Sequence, residues 1–451
     1  MINTLFLPEL RDMIATGKKE EMREFCAALH PVRTAEFMEG LSPSESWQVL
    51  RCADNEQQQE IFRHFDGDKQ VSILEQEDRK EVAGLITKLA HDERVDLLGE
   101  IDEEIGSELL KLLPAEERRD ILRLKAFPEE TAGAVMTTDI AKLDESLTVE
   151  EALEELGRQA EDLETIYYLY VVDKTDHLRG VVSARQLVSA MVHPKTTLAT
   201  LMETDIIVVD SMEDQESVAQ TVARFDLLAI PVVDPERRLL GIITHDDVID
   251  VMREEATEDV QRIAAVTPLN QSYLRTNLLT LSWKRGVWLT ILFFAALLTA
   301  FALDGYRDIF GRVDAAWLVL FIPLVISSGG NSGSQSSTLV ISGLATKDIV
   351  ISDWWRIFRR ELAMGLLLGS LLGIFGYLCA VILAPSPMAA LIIPITLLLV
   401  MVCGTTCGSL LPLLFQRLGL DPAMMSNPFV AGIVDILGII IYMNVARLLM
   451  N

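Results

Sequence analysis

Long stretches in the second half of the chain contain almost no charged residue. They cover residues 286–303, 315–346, 362–416 and 422–451. A membrane-crossing helix takes roughly 20 apolar residues, so the third stretch is long enough for two crossings, and Pro385 and Pro387 divide it. The pattern predicts a transmembrane domain over 281–451 whose five helices lie near 286–304, 315–342, 361–384, 388–415 and 424–450.

Residues 1–130 show a different pattern, in which apolar residues recur every three or four positions over short segments. The segments 81–90 and 95–101 each carry one apolar stripe of this kind. Proline follows His30, Ser42 and Leu113, and proline is tolerated in the first turn of a helix but breaks its interior. This part is therefore predicted to be an α-helical N domain, a superhelical stack of helix pairs.

Between these parts one pattern occurs twice, beginning at Met136 and at Met202. Each copy continues with an amphipathic helix, an apolar strand, and a second strand that begins near Gly180 or Gly241. This internal β-α-β-β-α repeat resembles the CBS domain. The resemblance implies one α/β module, a tandem CBS pair over 131–252, with the first copy at 136–200 and the second at 201–252.

A turn of the second copy resembles a nucleotide-binding turn. In the CBS family a Gly-x-x-Ser/Thr-x-x-Asp turn often holds a ribose through its carboxylate. The second copy matches it with Thr244 and Asp247, while the first has Ser183 and Gln186. Two interpretations stay open: one adenine nucleotide such as ATP bound at Thr244 and Asp247, or a pair that binds no nucleotide and only dimerises.

An acidic segment follows the second copy and leads into a connecting helix predicted over 253–280. Like charges four residues apart on a helix destabilise it by a few tenths of a kcal/mol each. Two interpretations stay open: the acidic face is simply solvated, or it binds metal ions and this binding moves a gate at the first membrane segment. The carboxylates at this helical spacing are Asp246, Asp250, Glu254 and Glu258, with Glu255 and Asp259 beside them.

The charge of the chain is concentrated in its first part. The first 260 residues hold 58 acidic and 27 basic side chains, whereas the remainder holds 8 and 12. An acidic surface repels nucleic acid and anionic lipid headgroups and attracts cations.

The five cysteines form no CxxC pair and no cluster with histidine, so neither a disulfide framework nor a zinc site is indicated. No Ser/His/Asp arrangement, phosphate-binding loop or pair of catalytic carboxylates is evident, and we do not expect an enzyme.

The topology follows from the positions of the basic residues. The first 17 residues have no basic region, and Pro8 and Glu9 interrupt their apolar run, so we expect no signal peptide and a cytoplasmic N-terminus. The predicted outer side then holds only Arg307, Arg312 and Arg447, which agrees with the positive-inside rule and places the C-terminus outside. The inner side holds Lys284, Arg285, Lys347, Arg356, Arg359, Arg360 and Arg417.

The last predicted span contains a single carboxylate, Asp435. It lies about eleven residues into the span, roughly 16 Å, and therefore near the midplane of a hydrocarbon core about 30 Å thick. No Lys or Arg lies between Arg417 and Arg447. Because an ionisable group at this depth is costly unless it faces water, a partner or an ion, Asp435 is either a protonated carboxyl that bonds neighbouring helices or a cation site.

Other oxygen ligands accompany Asp435. Asn427 lies about two turns before it on the same face, and Asp421 precedes the span. Such oxygens suit Mg²⁺, Ca²⁺ or Mn²⁺. A small-residue stretch in the second span either allows close helix packing or breaks the helix and turns carbonyls towards a wet cavity. Its central residues, Gly329, Gly330 and Asn331, are predicted to bind the ion in the pore together with Asp435, Asn427 and Asp421.

Several motifs are spread over the chain: Pro323 with Gly-Gly-Asn331-x-Gly333-x-Gln335, Asp421-Pro-Ala, Ser426-Asn-Pro428, Phe127-Pro-Glu-Glu-Thr-Ala-Gly133 and the tandem CBS pair. Together these motifs make the chain similar to the MgtE family of magnesium channels over nearly its whole length. The resemblance implies a homodimer in a bacterial inner membrane, with Asp435 as the pore carboxylate, Asn427 and Asp421 at the inner mouth, and Asp259 approaching from a plug helix. The chain departs from many members at Ser328 and Ser342.

The functional hypothesis is a Mg²⁺-selective channel that moves Mg²⁺ into the cytoplasm and closes when cytosolic Mg²⁺ binds to acidic residues. The alternatives are a CBS-regulated channel for Mn²⁺, Co²⁺ or an anion, and a membrane-anchored nucleotide sensor. The resemblance implies regulatory ligands among Asp92, Asp96, Asp247, Asp250, Glu255, Glu258 and Asp259.

Overall fold

The fold is that of a multidomain membrane protein with a helical N domain, an α/β CBS pair and a five-helix membrane domain. A computed structural model describes residues 5–160, 163–269, 273–274, 276–307 and 313–450, without the side chains of Asp92, Val313 and Asp314. The chain forms two compact units, Met1–Glu254 and Glu255–Asn451.

The N domain is built from short helices that pack on the helix two positions further along. This occurs for α2 on α4, α3 on α5, α4 on α6, α6 on α8, α7 on α9 and α8 on α10, so the predicted superhelical stack is confirmed. The bounds are α1 Leu7–Thr16, α2 Lys19–Ala28, α3 Pro31–Met38, α4 Pro43–Leu50, α5 Asn55–Arg63, α6 Gly67–Gln76, α7 Arg79–Ile86, α8 His91–Glu100, α9 Glu103–Leu112 and α10 Ala115–Leu124.

The prolines of this part mark helix starts, as predicted. Pro31 and Pro43 are the first residues of α3 and α4, and Pro114 is the N-cap of α10. Ser42 accepts a hydrogen bond from the backbone N–H of Glu45, whose carboxylate accepts one from the N–H of Ser42. This reciprocal cap satisfies two donors that a helix start leaves unpaired, and so fixes where α4 begins.

The two sequence repeats form two three-stranded sheets of the same topology. In the first, β1 is parallel to β2 and β2 is antiparallel to β3; the second repeats this with β4, β5 and β6. The predicted β-α-β-β-α order is therefore confirmed in both copies. The bounds are β1 Lys142–Asp144, α11 Val149–Gln159, β2 Tyr168–Val172, β3 Leu178–Ser183, α12 Ala184–Ser189, α13 Leu198–Leu201, β4 Val209–Asp210, α14 Gln215–Phe225, β5 Ala229–Val233, β6 Leu239–Thr244 and α15 His245–Ile263.

Each copy sends its leading segment onto the last strand of the other. Thr137 pairs with Ile242 of β6, and Glu203 pairs with Val181 of β3. The crossing is close at the two equivalent glycines, because a Cβ on Gly180 would lie 2.7 Å from the Glu203 carbonyl oxygen. A Cβ on Gly241 would likewise lie 2.5 Å from the Thr137 carbonyl oxygen. The glycine that opens the nucleotide-type turn therefore also permits the two copies to interlock.

The connecting helix predicted over 253–280 is the C-terminal part of α15, which ends at Ile263. Ala265 adopts a left-handed conformation with φ 59°, and the N–H of Val266 bonds back to the carbonyl of Gln261 at 2.9 Å. This left-handed turn ends the helix before Pro268.

The second unit contains five helices that are long and apolar enough to cross a membrane, within the described ranges. The predicted number is confirmed, and the first span begins earlier than predicted, at Leu278. The α-helices are α16 Leu278–Asp304, α17 Ile322–Ala345, α18 Trp354–Leu383, α19 Pro387–Ala390, α20 Ile392–Arg417 and α21 Asn427–Met450, with short 3-10 helices at Val313–Phe321, Ile351–Asp353 and Pro422–Met424.

Glycines bring the membrane helices close together. A Cβ on Gly369 of α18 would lie 2.8 Å from Cα of Leu398 on α20, and one on Gly404 of α20 would lie 2.6 Å from the carbonyl oxygen of Gly329 on α17. Of the two interpretations left open for residues 329–331, the helix break is wrong, because α17 is continuous from Ile322 to Ala345. Its glycines serve close packing, the other interpretation of the same small-residue pattern.

Candidate functional site

Asp435 lies on α21 beside the small-residue segment of α17. A Cβ on Gly330 would lie only 3.2 Å from Asp435 Oδ1, so the glycine lets the carboxylate approach the α17 backbone. Among the described residues Asp435 makes no hydrogen bond and no ion pair. The described chain thus supplies no partner of the kind that a purely helix-bonding carboxyl needs, and the carboxylate oxygens stay available to a cation.

The start of α21 is fixed by hydroxyl groups on α17. Thr338 Oγ1 donates to the side-chain oxygen of Asn427, and Ser334 Oγ donates to its backbone oxygen, both at 3.1 Å. Ser334 and Thr338 were not singled out from the sequence, although their spacing of four residues places them on one helix face. They orient Asn427 two turns before Asp435. Asn331 is turned elsewhere and donates to Ser327 Oγ at 3.2 Å.

Asp421 is held by two contacts where the loop enters α21. One oxygen caps the short 3-10 helix by accepting the N–H of Ala423 at 2.7 Å. The other pairs with the guanidinium of Arg262 near the end of α15, and the same guanidinium pairs with Glu258. Arg262 therefore joins two predicted ion ligands. Sequence reasoning missed it, although it lies one helical turn after Glu258.

These residues form an acidic group that we call the mouth cluster, comprising Glu255, Glu258, Asp259 and Asp421. The pKa of Asp259 is raised by burial and then by the charges of Asp421 and Glu255, which the cation of Arg262 partly offsets. A raised carboxyl pKa means that the ionised form is destabilised where it lies. A cation that entered this group would relieve that cost.

A second acidic group lies within the first unit. Burial, followed by the charges of Glu254, Glu100, Asp247 and Glu93, raises the pKa of Asp96 to about 7. Glu93, Asp96 and Glu100 line a cavity of about 180 Å³ together with Arg63, and Arg63 pairs with Glu93 at 2.5 Å.

We call Glu93, Asp96, Glu100, Asp247 and Glu254 the sensor cluster. Asp96 and Asp247 were predicted ligands, whereas Glu93, Glu100 and Arg63 were missed. Burial raises the pKa of Glu164 to about 7 as well, and Asp247 and Glu93 act on it in the same direction. This third carboxylate was also missed because its segment has no helical periodicity.

Two of the predicted regulatory residues are not placed in either group. Asp250 is exposed and pairs with Arg253 at 3.4 Å. The side chain of Asp92 lies outside the described residues.

Over the described part of the chain, no three His, Cys, Asp or Glu side chains converge closely enough to hold a metal ion. Mg²⁺ commonly keeps several waters and takes only one or two carboxylates.

The turn predicted to bind a nucleotide is internally satisfied. Thr244 Oγ1 donates to Asp247 Oδ2 at 2.5 Å, and the Thr244 N–H donates to the same oxygen at 3.2 Å. The pKa of Asp247 is raised, chiefly by burial and also by Asp246, against the opposing effect of the Thr244 hydrogen bond. Nucleotide phosphates would meet repulsion from this acidic surrounding.

A cavity lies at the equivalent turn of the first copy. Its volume is about 510 Å³, and Tyr167, Arg185, Gln186 and Glu203 contribute to its lining. Gln186 donates to Glu203 at 2.9 Å. An aromatic ring can stack on the base of a nucleotide, a guanidinium can bind its phosphates and a carboxylate can accept the hydroxyls of its ribose, and all three groups line this cavity.

Three family models match the chain. A model described as divalent cation transporter matches residues 322–445, one described as MgtE intracellular N domain matches 29–130, and CBS domain models match 132–193 and 198–254. Curated relatives match over most of their length. The "Magnesium transporter MgtE" of Thermus thermophilus is 40% identical over 76% of this chain and 75% of its own. That of Enterococcus faecalis is 35% identical over 75% and 73%.

Two solved structures resemble the part of the chain before the membrane domain. One is titled as the soluble part of a magnesium transporter, with 34% identity and a TM-score of 0.51 over 55% of this chain and 97% of that one. The other is the cytosolic domain of the Mg²⁺ channel MgtE in complex with ATP, with 33% identity and a TM-score of 0.51 over 54% and 98%.

Proposed function

This chain belongs to the MgtE family of magnesium transporters, and we propose that it is a Mg²⁺-selective channel that carries Mg²⁺ into the cytoplasm. The observation that carries the proposal is Asp435, a carboxylate deep in a membrane span that backs onto Gly330 and has no cationic partner among the described residues. Carboxylate and amide oxygens of Asp435, Asn427 and Asp421 supply the hard ligands that Mg²⁺ prefers. The absence of Lys and Arg between Arg417 and Arg447 disfavours an anion path.

We further propose that cytosolic Mg²⁺ closes the channel through the sensor and mouth clusters. The pKa values of Asp96 and Asp259 are raised, first because burial destabilises the charged form and then because neighbouring carboxylates repel it. Mg²⁺ bound among these carboxylates would relieve the repulsion and favour the closed state. By linkage, each occupied site stabilises the closed state by a free energy of RT ln(1 + [L]/Kd). Both clusters include residues of α15: Asp247 and Glu254 belong to the sensor cluster, and Glu255, Glu258 and Asp259 belong to the mouth cluster.

The assembly and location that we propose are a homodimer in a bacterial inner membrane, with the N-terminus in the cytoplasm and the C-terminus outside. The asymmetry of basic residues between the two sides of the membrane domain supports this orientation. Adenine nucleotide is proposed as a second ligand of the CBS pair. The first-copy cavity beside Arg185 and Gln186 offers groups suited to a nucleotide, and the turn of Thr244 and Asp247 is the other candidate site.

The proposed function predicts Mg²⁺ uptake by proteoliposomes that contain the full chain, and a decrease of this uptake as internal Mg²⁺ is raised. A Mg²⁺-sensitive dye inside the vesicles measures the initial rate. A membrane potential that follows the chloride gradient would contradict a cation channel. Uptake equal to that of protein-free vesicles would contradict transport altogether.

The contacts of Arg262 predict that Arg262→Gln raises uptake at high internal Mg²⁺, where the closed state dominates. The substitution removes the cation that joins Glu258 to Asp421 and leaves carboxylates facing one another. For partly exposed pairs worth about 1 kcal/mol, the open fraction should rise roughly fivefold. Arg253→Gln is the matched control, because Arg253 is an exposed arginine on the same helix that pairs with Asp250. Equal initial rates for Arg262→Gln and the unmodified chain would contradict this role.

A further inference from the structure

A groove between α18 and α20 lies apart from the carboxylates discussed above. It has a volume of about 450 Å³, and its lining includes Ile351, Trp354, Phe358, Cys407, Leu414 and Arg417. Thr406 also lines it, but its hydroxyl donates to the Val402 carbonyl at 2.6 Å and is therefore satisfied. The groove thus presents an apolar surface with one charged group, the guanidinium of Arg417, at its end.

The length of the groove matches one leaflet of a bilayer. Along α20 it extends from Thr406 to Arg417, eleven residues or roughly 16 Å at 1.5 Å per residue. That is about half of a hydrocarbon core about 30 Å thick. The apolar part therefore begins near the midplane and the guanidinium lies at the membrane edge, where a lipid changes from acyl chain to headgroup. Trp354, at the same end, is a residue typical of this interface.

The rim of the groove belongs to a basic edge of the membrane domain. Arg417 is exposed, and in the described part of the chain it has no ion pair or hydrogen bond through its side chain. The same holds for the guanidinium groups of Arg356, Arg359 and Arg360 near the start of α18 and for the ammonium of Lys347. Unpaired cations at a membrane edge attract anionic lipid by about 1 kcal/mol each.

We propose that this groove binds an anionic phospholipid, with an acyl chain between α18 and α20 and the headgroup phosphate on Arg417. A second copy of the chain is a less complementary occupant, because its corresponding edge would bring the same excess of unpaired cations towards Arg417. The mixed chemistry of the groove, apolar over one leaflet and cationic at the edge, is that of a lipid site rather than of a helix-packing seam.

A cavity at the other end of the same helix pair provides a matched control. It has about 420 Å³ and is lined by residues such as Gly369, Tyr377, Pro394 and Ile395, with no charged residue in its lining. It offers an acyl chain similar space without a partner for the phosphate. Lipid that binds there should show no preference for an anionic headgroup.

Native mass spectrometry of the full chain in detergent tests the proposal, with phosphatidylglycerol and phosphatidylcholine offered at equal concentration. We expect phosphatidylglycerol to bind preferentially and Arg417→Gln to weaken it about fivefold. Leu414→Trp, at a half-exposed residue of the groove, should also reduce binding by filling the space. Arg447→Gln and Ile395→Trp should leave the preference unchanged, and a thermal melt of each variant reports whether it remains folded.

Two results would overturn the proposal. Equal binding of the two lipids, or a preference that persists in Arg417→Gln, would mean that the lipid only surrounds the protein. A covalent dimer formed through Cys407, in a variant whose other four cysteines are serine, would mean that a second copy fills the groove. Neither measurement depends on Mg²⁺ transport, so the lipid site and the proposed channel can fail independently.

Discussion

Replacing Asp435 with asparagine is expected to lower Mg²⁺ uptake by roughly 100-fold. The side chain keeps its volume but loses the charge that offsets the desolvation of a divalent cation deep in the membrane. Loss of one partner of a buried charge pair costs about 3 kcal/mol or more, which corresponds to roughly two orders of magnitude in occupancy. The measurement is the initial rate of Mg²⁺ entry into proteoliposomes with nominally Mg²⁺-free interior, at matched protein content.

Asp348→Asn provides the control for this variant. Asp348 is an exposed carboxylate of the same unit that accepts a hydrogen bond from Thr346 at 3.3 Å, so its loss changes the net charge equally without touching α21. Its rate should equal that of the unmodified chain. If Asp435→Asn remained folded and kept the full rate, the ion path would lie elsewhere and Asp435 would have a structural role.

Much of the fold could be predicted because periodicity reports it directly. The long uncharged stretches, the repeat at Met136 and Met202 and the prolines that begin α3 and α4 each impose a local constraint that is visible without knowledge of any distant contact. The glycines of α17 are the contrary case. A run such as Gly329-Gly330 is equally compatible with a broken helix and with a closely packed one, and only the positions of α20 and α21 decide between them.

The candidate site was only partly predictable for a related reason. Asp435 is conspicuous in the sequence, since a lone carboxylate in an apolar span is costly. Arg262 is not conspicuous in the sequence, because its partner Asp421 lies 159 residues away. An arginine in a helix rich in acidic residues also looks the same in the sequence as one that forms an ordinary solvated ion pair. The grouping of Glu93 and Glu100 with Asp247 likewise depends on how the N domain packs on the CBS pair within the first unit.

The second large effect is expected in the mouth cluster. Neutralising Glu258 and Asp259 together should abolish most of the inhibition of uptake by internal Mg²⁺. To move a channel from mostly open to mostly closed, from 1:99 to 99:1, takes about 5.5 kcal/mol. One site at 100 times its Kd supplies about 2.7 kcal/mol, so closure needs contributions from both clusters. Removing the contribution of the mouth cluster would return the closed channel to about half open. We therefore expect Glu258→Gln/Asp259→Asn to raise uptake at high internal Mg²⁺ by roughly 50-fold.

The size of the increase in uptake at high internal Mg²⁺ distinguishes this double variant from Arg262→Gln. The double variant removes Mg²⁺ ligands, so its rate without internal Mg²⁺ should be nearly unchanged while its rate at high Mg²⁺ rises. Arg262→Gln removes a fixed cation and keeps the Mg²⁺ ligands, so its rate at high Mg²⁺ should rise only about fivefold and most of the inhibition should remain. Asp250→Asn, an exposed carboxylate on the same helix, should follow the unmodified chain throughout. Unaltered Mg²⁺ inhibition in the double variant would assign closure to the sensor cluster alone, and the mouth cluster would then hold α15 through Arg262 without sensing the ion.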